Sequence, residues 1–440
     1  ETLQTIVSHL DADLLLVNPT SFTQPALVFI KGDSLQRFTL DGQPVPVQQT
    51  DSGCWLDAGK LAPYSVTVLH QTSKVESQTS LADLSPETLK LENEHLIVEF
   101  NAAGDIIHIF DKKANREILP PNTVANQFQA FEDRPKSWDA WDVDIFYDDK
   151  MWLAEPAFSI RFIEYGKLRQ TIEIKRKIQN SEYTQRISLS HNSPRLDFDT
   201  HINWQERHTL LKVAFPVNVL SPQATYEIQW GNVTRPTHRN TSWDWARFET
   251  CAQKWVDLSE GDYGISLLND CKYGHDIYDN VMRITLLRSP TMPDPTADFG
   301  EHEFKYSLYP HAGGWNEETQ REAYLLNDPI ISYRSKVESR RSANLISNFQ
   351  SLISCSSPNI IIETVKQAED GNGLIIRLYE SQRKRRSITL TTAFLLERVE
   401  IVNLLEETQN LLNTEGNQIH FQIKPYEIVT MRLVTYSPTG

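Results

Sequence analysis

Leu196, Phe198, Thr200, Ile202 and Trp204 alternate with Asp197, Asp199, His201 and Asn203. Successive side chains of an extended chain point to opposite faces, so a period of two places the first set on one side of a strand and the second set on the other. Coiled into a helix, the same residues would scatter around the whole circumference. Runs of the same kind recur along the chain: Leu14–Val17, Ala26–Ile30, Ser65–His70, His95–Phe100, Ile106–Phe110, Phe158–Ile178, Leu210–Phe215, Thr225–Trp230, Tyr263–Leu268, Met282–Leu287 and Glu303–Tyr309. The pattern resumes at Ile360–Val365, Leu374–Tyr379, Ile388–Thr391, Val399–Val402, Ile419–Ile423 and Ile428–Val434. So many strands of this length predict an all-β protein with large packed antiparallel sheets. Asn316–Leu326 is the best helix candidate, with acids at its start and good helix formers after them.

Breaks in the pattern suggest three parts. Residues 1–86 read as a small β-sandwich, closed by a polar, serine-rich linker at 71–86. Residues 87–345 read as the central β domain, and 346–440 as a C-terminal β domain that completes or flanks the central sheets. The polar segment Ser339–Asn348 reads as a crossing between them.

Charge and cysteine usage narrow the function. A formal net charge of −15 over 440 residues disfavours a nucleic-acid partner, since the average surface repels a polyanion. The basic run Arg383–Arg386 precedes an expected strand and reads as a solvated turn or edge guard. Cys54, Cys251, Cys271 and Cys355 lie far apart, without C-x-x-C spacing, so neither a disulfide framework nor a zinc knuckle is expected. Scattered thiols fit a reducing, cytoplasmic compartment. No apolar run reaches transmembrane length, and no membrane partner is expected. The chain opens on Glu1, which suggests a piece of something longer.

Zinc-protease, phosphate-loop and nucleophile-elbow motifs are missing from the sequence. His238, His275, His302 and His311 read as hydrogen-bonded structural residues. Glycosidases need paired carboxyl groups, but 58 acids offer many chance pairs. The segment FEDRPKSWDAWDVDIFYD (131–148) is more informative. Trp138 and Trp141 stand among Asp139, Asp142 and Asp144, and Pro135 marks a loop. Sugars present apolar C–H faces and rings of hydroxyls. Flat aromatics match the faces, and carboxylates match the hydroxyls. The plain alternative is packing tryptophans beside a solvated acidic loop. Gly231–Glu249 and Leu268–Asp276 hold site-type residues too, as does Leu286–Tyr309 with Arg288, Asp294, Asp298, Glu301 and His302.

Three segments carry a resemblance: QFQAFEDRPKSWDAWDVDIFY (127–147), NTSWDWARFETCAQKWVDLSEGDYGISLLNDCKYGHD (240–276) and LLRSPTMPDPTADFGEHEFKYSLYPH (286–311). With VNPTSF (17–22), they resemble the C-terminal half of family 38 glycoside hydrolases, the zinc-dependent retaining α-mannosidases, in their cytosolic and bacterial branch. The resemblance implies a galactose-mutarotase-like supersandwich flanked by smaller β-sandwiches. It also implies that the zinc ligands and both catalytic aspartates belong to an N-terminal domain not matched here. This chain would then bind no cofactor and hold no catalytic residue, while zinc serves the complete enzyme. By the same resemblance, Asp139, Trp141, Asp142, Asp144, Arg288 and Asp294 contact an α-mannoside glycan. His275-Asp276 lies in a different motif from the family's zinc site. Two other functions stay open: a free-standing carbohydrate-binding module, and a mutarotase-like epimerase, for which His201 and Glu227 are the pair to test.

Overall fold

The strand Leu196–Trp204 forms as the alternation requires, with its apolar residues inside and His201 and Asn203 exposed. It belongs to a computed structural model that describes residues 12–32, 37–72, 88–334 and 351–436. Beyond Gln71 and Thr72, the expected linker lies outside the described residues. So do the crossing segment Ser339–Asn348 and the expected domain limits at 86/87 and 345/346.

The chain divides into two units: residues 81–228 with 232–327, and residues 1–80 with 229–231 and 328–440. The first unit carries a nine-stranded sheet and a six-stranded sheet. In the larger sheet, Gly300–Ala312 is the long central strand, paired antiparallel with Leu196–Trp204 on one side and Tyr263–Asn269 on the other. In the smaller, Thr209–Pro216 lies between Gln127–Glu132 and Val281–Arg288. One core joins the two sheets: Phe198 stacks on Tyr306 at 5.0 Å and meets Phe215 at 5.5 Å. Each such buried side chain contributes roughly 1.5–3 kcal/mol of burial free energy. This packing of large antiparallel sheets is what the strand pattern predicts, and it fits the supersandwich that the resemblance implies.

The alternating stretch Phe158–Ile178 forms a hairpin, Ser159–Tyr165 and Arg169–Ile178, turning at Gly166. Ser181–Ser190, not expected as a strand, pairs with Arg169–Ile178 along its whole length. Its run of Glu182, Thr184, Gln185 and Arg186 hides an alternation in which the buried Gln185 donates to Thr200 and Tyr306. The helix forms at Glu317–Asn327, one residue later than expected. Asn316 accepts from the Glu318 amide at 2.8 Å, as a capping side chain does. The helix buries Ala323 against Trp255, Leu268 and Tyr309.

The second unit contains a five-stranded and a three-stranded sheet around Leu14, Leu16, Val28, Ile30 and Leu56. Ile331–Arg334 pairs there with Leu14–Asn18. A four-stranded and a five-stranded sheet enclose a separate core of Ile360, Ile376, Leu378 and Met431. Arg383 to Arg386 are exposed at the turn into the strand Arg386–Thr392.

Candidate functional site

The loop 133–149 leaves the strand Gln127–Glu132 and is held at both ends. Phe131 packs edge-on to Tyr147 at 5.1 Å, closing its base. At its entry, the Asp133 amide donates to the His208 carbonyl at 2.7 Å. Arg288, the last residue of the strand Val281–Arg288, then reaches under the loop. Its Nε donates to Asp133 at 2.6 Å. One Nη donates to the Asp139 carbonyl at 2.7 Å and also to the Asp142 carbonyl, and the other reaches the Ala140 carbonyl at 3.3 Å. One planar guanidinium thus fixes several carbonyls of the loop at once, which suits its rigid fork of donors. Burial pushes the Asp133 carboxyl up despite Arg288 beside it. Its second oxygen is buried with no hydrogen-bond partner among the described residues.

The expected sugar contacts divide by what already occupies them. Asp139 accepts from the Thr291 amide at 2.6 Å, the Met292 amide at 3.1 Å and the Thr291 hydroxyl at 3.2 Å. Burial raises its carboxyl, but these donors outweigh that and hold it below the usual range. Asp144 accepts from the Lys136 amide at 2.9 Å, closing the loop on itself. Asp294 accepts from the Thr296 amide at 2.9 Å and its hydroxyl at 3.0 Å, within its own exposed turn. Asp142 is exposed, and its carboxylate has no hydrogen bond or ion pair among the described residues. Trp141 is 70% exposed and Trp138 71%, with rings at 83° to one another and 6.4 Å apart. Trp138 sits at φ +59°, a left-handed conformation that bulky residues rarely adopt. So Asp142 and Trp141 face outward, while Asp139, Asp144 and Arg288 brace them. Sequence reasoning missed Asp133 and Thr291, because their partners lie over a hundred positions away.

Beneath this loop lies a buried ion network. Lys212, with a fully buried side chain, pairs with Glu249 and with Asp276 at 2.6 Å. Arg283 takes the other Asp276 oxygen at 2.8 Å and reaches Asp148 at 3.3 Å. Burial pushes Asp276 up, and Lys212 and Arg283 reverse the shift, leaving it below the usual carboxylate range. Both Asp276 oxygens therefore serve cations already in the chain. Among the described residues no three His, Cys, Asp or Glu side chains converge to hold a metal ion. These residues do not fit the family's zinc, and they support no chemical step through it.

His275 is fully buried, with Nδ1 bonded to the Tyr273 carbonyl at 3.1 Å and Nε2 without a partner among the described residues. Burial lowers its pKa to about 4. The unfolded chain therefore binds one more proton than the native one between about pH 6.5 and pH 4. Stability from this group is complete above pH 6.5 and falls by about 3 kcal/mol as the pH drops through that window. Urea unfolding of His275→Phe should lose this slope between pH 7 and 4.5. An unchanged slope would assign it to other groups.

Two suggestive pairings carry no chemistry. Ser266, His311 and Asp257 are buried together, but the Ser266 hydroxyl (3.1 Å) and the Asp257 carboxylate (2.7 Å) both approach the same nitrogen, Nε2. A proton relay needs the two nitrogens on opposite partners. His201 and Glu227, the pair that an epimerase would use, lie on strands four places apart in the nine-stranded sheet, about 19 Å across it. His201 is exposed and bonded to Glu301 at 2.9 Å, and Glu227 is buried beside Lys254.

Comparison with known proteins accounts for both units. Residues 91–296 match the glycosyl hydrolases family 38 C-terminal domain, and residues 359–431 the C-terminal beta sandwich domain of the same family. The chain is 36% identical over 359 residues to alpha-mannosidase 2C1 of Mus musculus, covering 80% of this chain and 34% of that protein. It is 35% identical over 383 residues to the Homo sapiens protein of that name, covering 83% and 36%, and 36% identical over 355 residues to alpha-mannosidase G of Dictyostelium discoideum, covering 78% and 32%. The chain thus spans about a third of the length of these relatives. The crystal structure of an alpha-mannosidase from Enterococcus faecalis has the same fold, with a TM-score of 0.75 at 18% identity over 98% of this chain and 58% of that one. With two family models matching residues 91–296 and 359–431, and relatives 35–36% identical over 78–83% of its length, this chain belongs to glycosyl hydrolase family 38, of which it carries the C-terminal domains.

Proposed function

We propose that the chain is the β portion of a cytoplasmic α-mannosidase that hydrolyses terminal α-linked mannose, and that its loops wall one side of the sugar pocket. The catalytic zinc and carboxylates are assigned to the N-terminal part that the relatives carry and this chain does not match. The observation that carries the reading is the braced loop: Arg288 and Asp139 hold it in place, while the Asp142 carboxylate is left without a partner among the described residues and the Trp141 ring stays exposed. An unpaired carboxylate accepts two sugar hydroxyls, and an indole covers the sugar's C–H face. Holding hydroxyls in place lowers the entropic part of the barrier for groups that act from elsewhere. Exposed aromatics on the loop itself, Trp138 and Phe146, and elsewhere in the same unit, Phe158 and Trp243, offer apolar surface for the N-terminal part to cover.

Two measurements test this. The 440-residue chain with added zinc should not hydrolyse an aryl α-mannoside above background, and robust turnover would overturn the assignment of the chemistry. In the complete enzyme, Asp142→Ala should lower kcat/KM about 10- to 100-fold, the worth of a hydrogen bond to a charged group, with little change in Tm. A collapse of Tm at unchanged kcat/KM would instead make the loop structural.

A further inference from the structure

A narrow cleft lies between the strand Gly231–Pro236, the one-turn helix Ser242–Trp245 and the strand Gly274–Tyr278. Arg235, Arg239 and Arg247 all line it, with His238 beside them. In a chain of net charge −15, arginines have abundant carboxylates to pair with. Two of these three have none. Among the described residues, the side chains of Arg235 and Arg247 make no ion pair and no hydrogen bond. Arg235 lies 5.4 Å over the Tyr226 ring, and Arg239 lies 4.8 Å over Tyr278. Ring faces hold a guanidinium in position without neutralising it or using its donors. Arg239 has a distant partner, Asp148 at 3.8 Å.

The carboxylates at the cleft are already committed. Asp276 is shared by Lys212 and Arg283. Asp244 accepts from the Thr241 hydroxyl at 2.8 Å and sits 3.7 Å from His238. The space available is about 20 Å³, room for one water-sized group. A sugar ring does not enter such a space, but an oxygen-bearing face of a tetrahedral anion does, with the rest of the anion in the mouth under the exposed Arg247.

We infer that this cleft binds a phosphate-class oxyanion, gripped by Arg235, Arg239 and Arg247 in the forked geometry that guanidinium groups offer to phosphate. The anion is either free inorganic phosphate or the phosphate of a phosphorylated sugar. The inference does not use Asp142 or Trp141 and stands whether or not the pocket-wall reading holds.

Thermal unfolding of the full chain should be followed in rising inorganic phosphate, with chloride holding the ionic strength constant. Phosphate should raise Tm by about 2–4 °C once it exceeds Kd some tenfold. Arg247→Ala removes an exposed side chain that makes no ion pair or hydrogen bond among the described residues, so it should keep the phosphate-free Tm and lose most of the rise, and Arg247→Lys should restore part of it. No rise above the chloride control overturns the inference. An equal rise in Arg247→Ala also overturns it, because general exclusion of a kosmotropic anion would then explain the effect. A second titration uses a hexose 6-phosphate, with the unphosphorylated hexose as control. Binding tenfold tighter than inorganic phosphate identifies a sugar phosphate as the ligand, and equal binding identifies the free anion. The same rise with the unphosphorylated hexose overturns the assignment.

Discussion

Replacing Lys212 by methionine is expected to destabilise the unit that holds it by about 3–5 kcal/mol, because it breaks a buried ion network by removing one partner. The side chain is wholly buried, and its ammonium group lies against Glu249, Asp276 and, at 5.0 Å, the Tyr147 ring. Burial alone would strip its proton, but Asp276 and Glu249 outweigh burial and raise its pKa above the ordinary lysine value. Methionine fills similar volume, so the loss is electrostatic: two carboxylates remain in a site with one fewer cation. The design of a rescue follows from that cause. Adding Glu249→Gln to Lys212→Met removes one stranded charge while Arg283 still serves Asp276, and it should recover part of the loss. Urea unfolding at pH 7 measures both. A single-variant cost below about 1 kcal/mol, or no recovery in the double variant, would mean that water already screens the network.

Arg288→Ala should cost about 3 kcal/mol, for a related reason with a different readout. It leaves Asp133, 1% exposed, without its counter-ion, and it releases the carbonyls of Asp139, Ala140 and Asp142. The loop 133–142 should then become a preferred site of limited proteolysis, since local opening needs less free energy than global unfolding. Arg288→Lys keeps the charge but cannot span several carbonyls, so it should protect stability better than it protects the loop. Asp133→Asn in the Arg288→Ala background should return part of the stability without restoring protection of the loop. If the loop stays resistant in Arg288→Ala, the clamp is not what holds it, and a direct sugar contact becomes the better role for Arg288.

How far the sequence anticipates these results depends on the range of the interaction. Leu196–Trp204 and the helix near Asn316 are legible because their signals are local, a period of two in one case and an acidic start followed by good helix formers in the other. Ser181–Ser190 is not legible, because its inward positions include Gln185 and Ser188, whose partners come from neighbouring strands. The candidate loop stands out by composition, yet composition treats its aspartates alike. Their division into the buried Asp133, the bonded Asp139 and Asp144 and the unengaged Asp142 is made by Arg288, Thr291 and Lys136. Arg288 and Thr291 arrive from a strand end and loop some 150 positions on, where no spacing rule reaches. Arg288 is singled out in the sequence as a sugar contact, and in the structure its donors are turned to the Asp133 carboxylate and the loop's own backbone.

The central strand Gly300–Ala312 has a consequence for biosynthesis. It fills the gap between Leu196–Trp204 and Tyr263–Asn269, so both of those strands wait with an unpaired edge until the ribosome has released it. Bare edges of that length template association between chains. A translational pause before residue 300, or truncation there, should therefore yield insoluble nascent protein, whereas a stop just after the helix Glu317–Asn327 allows the nine-stranded sheet to close.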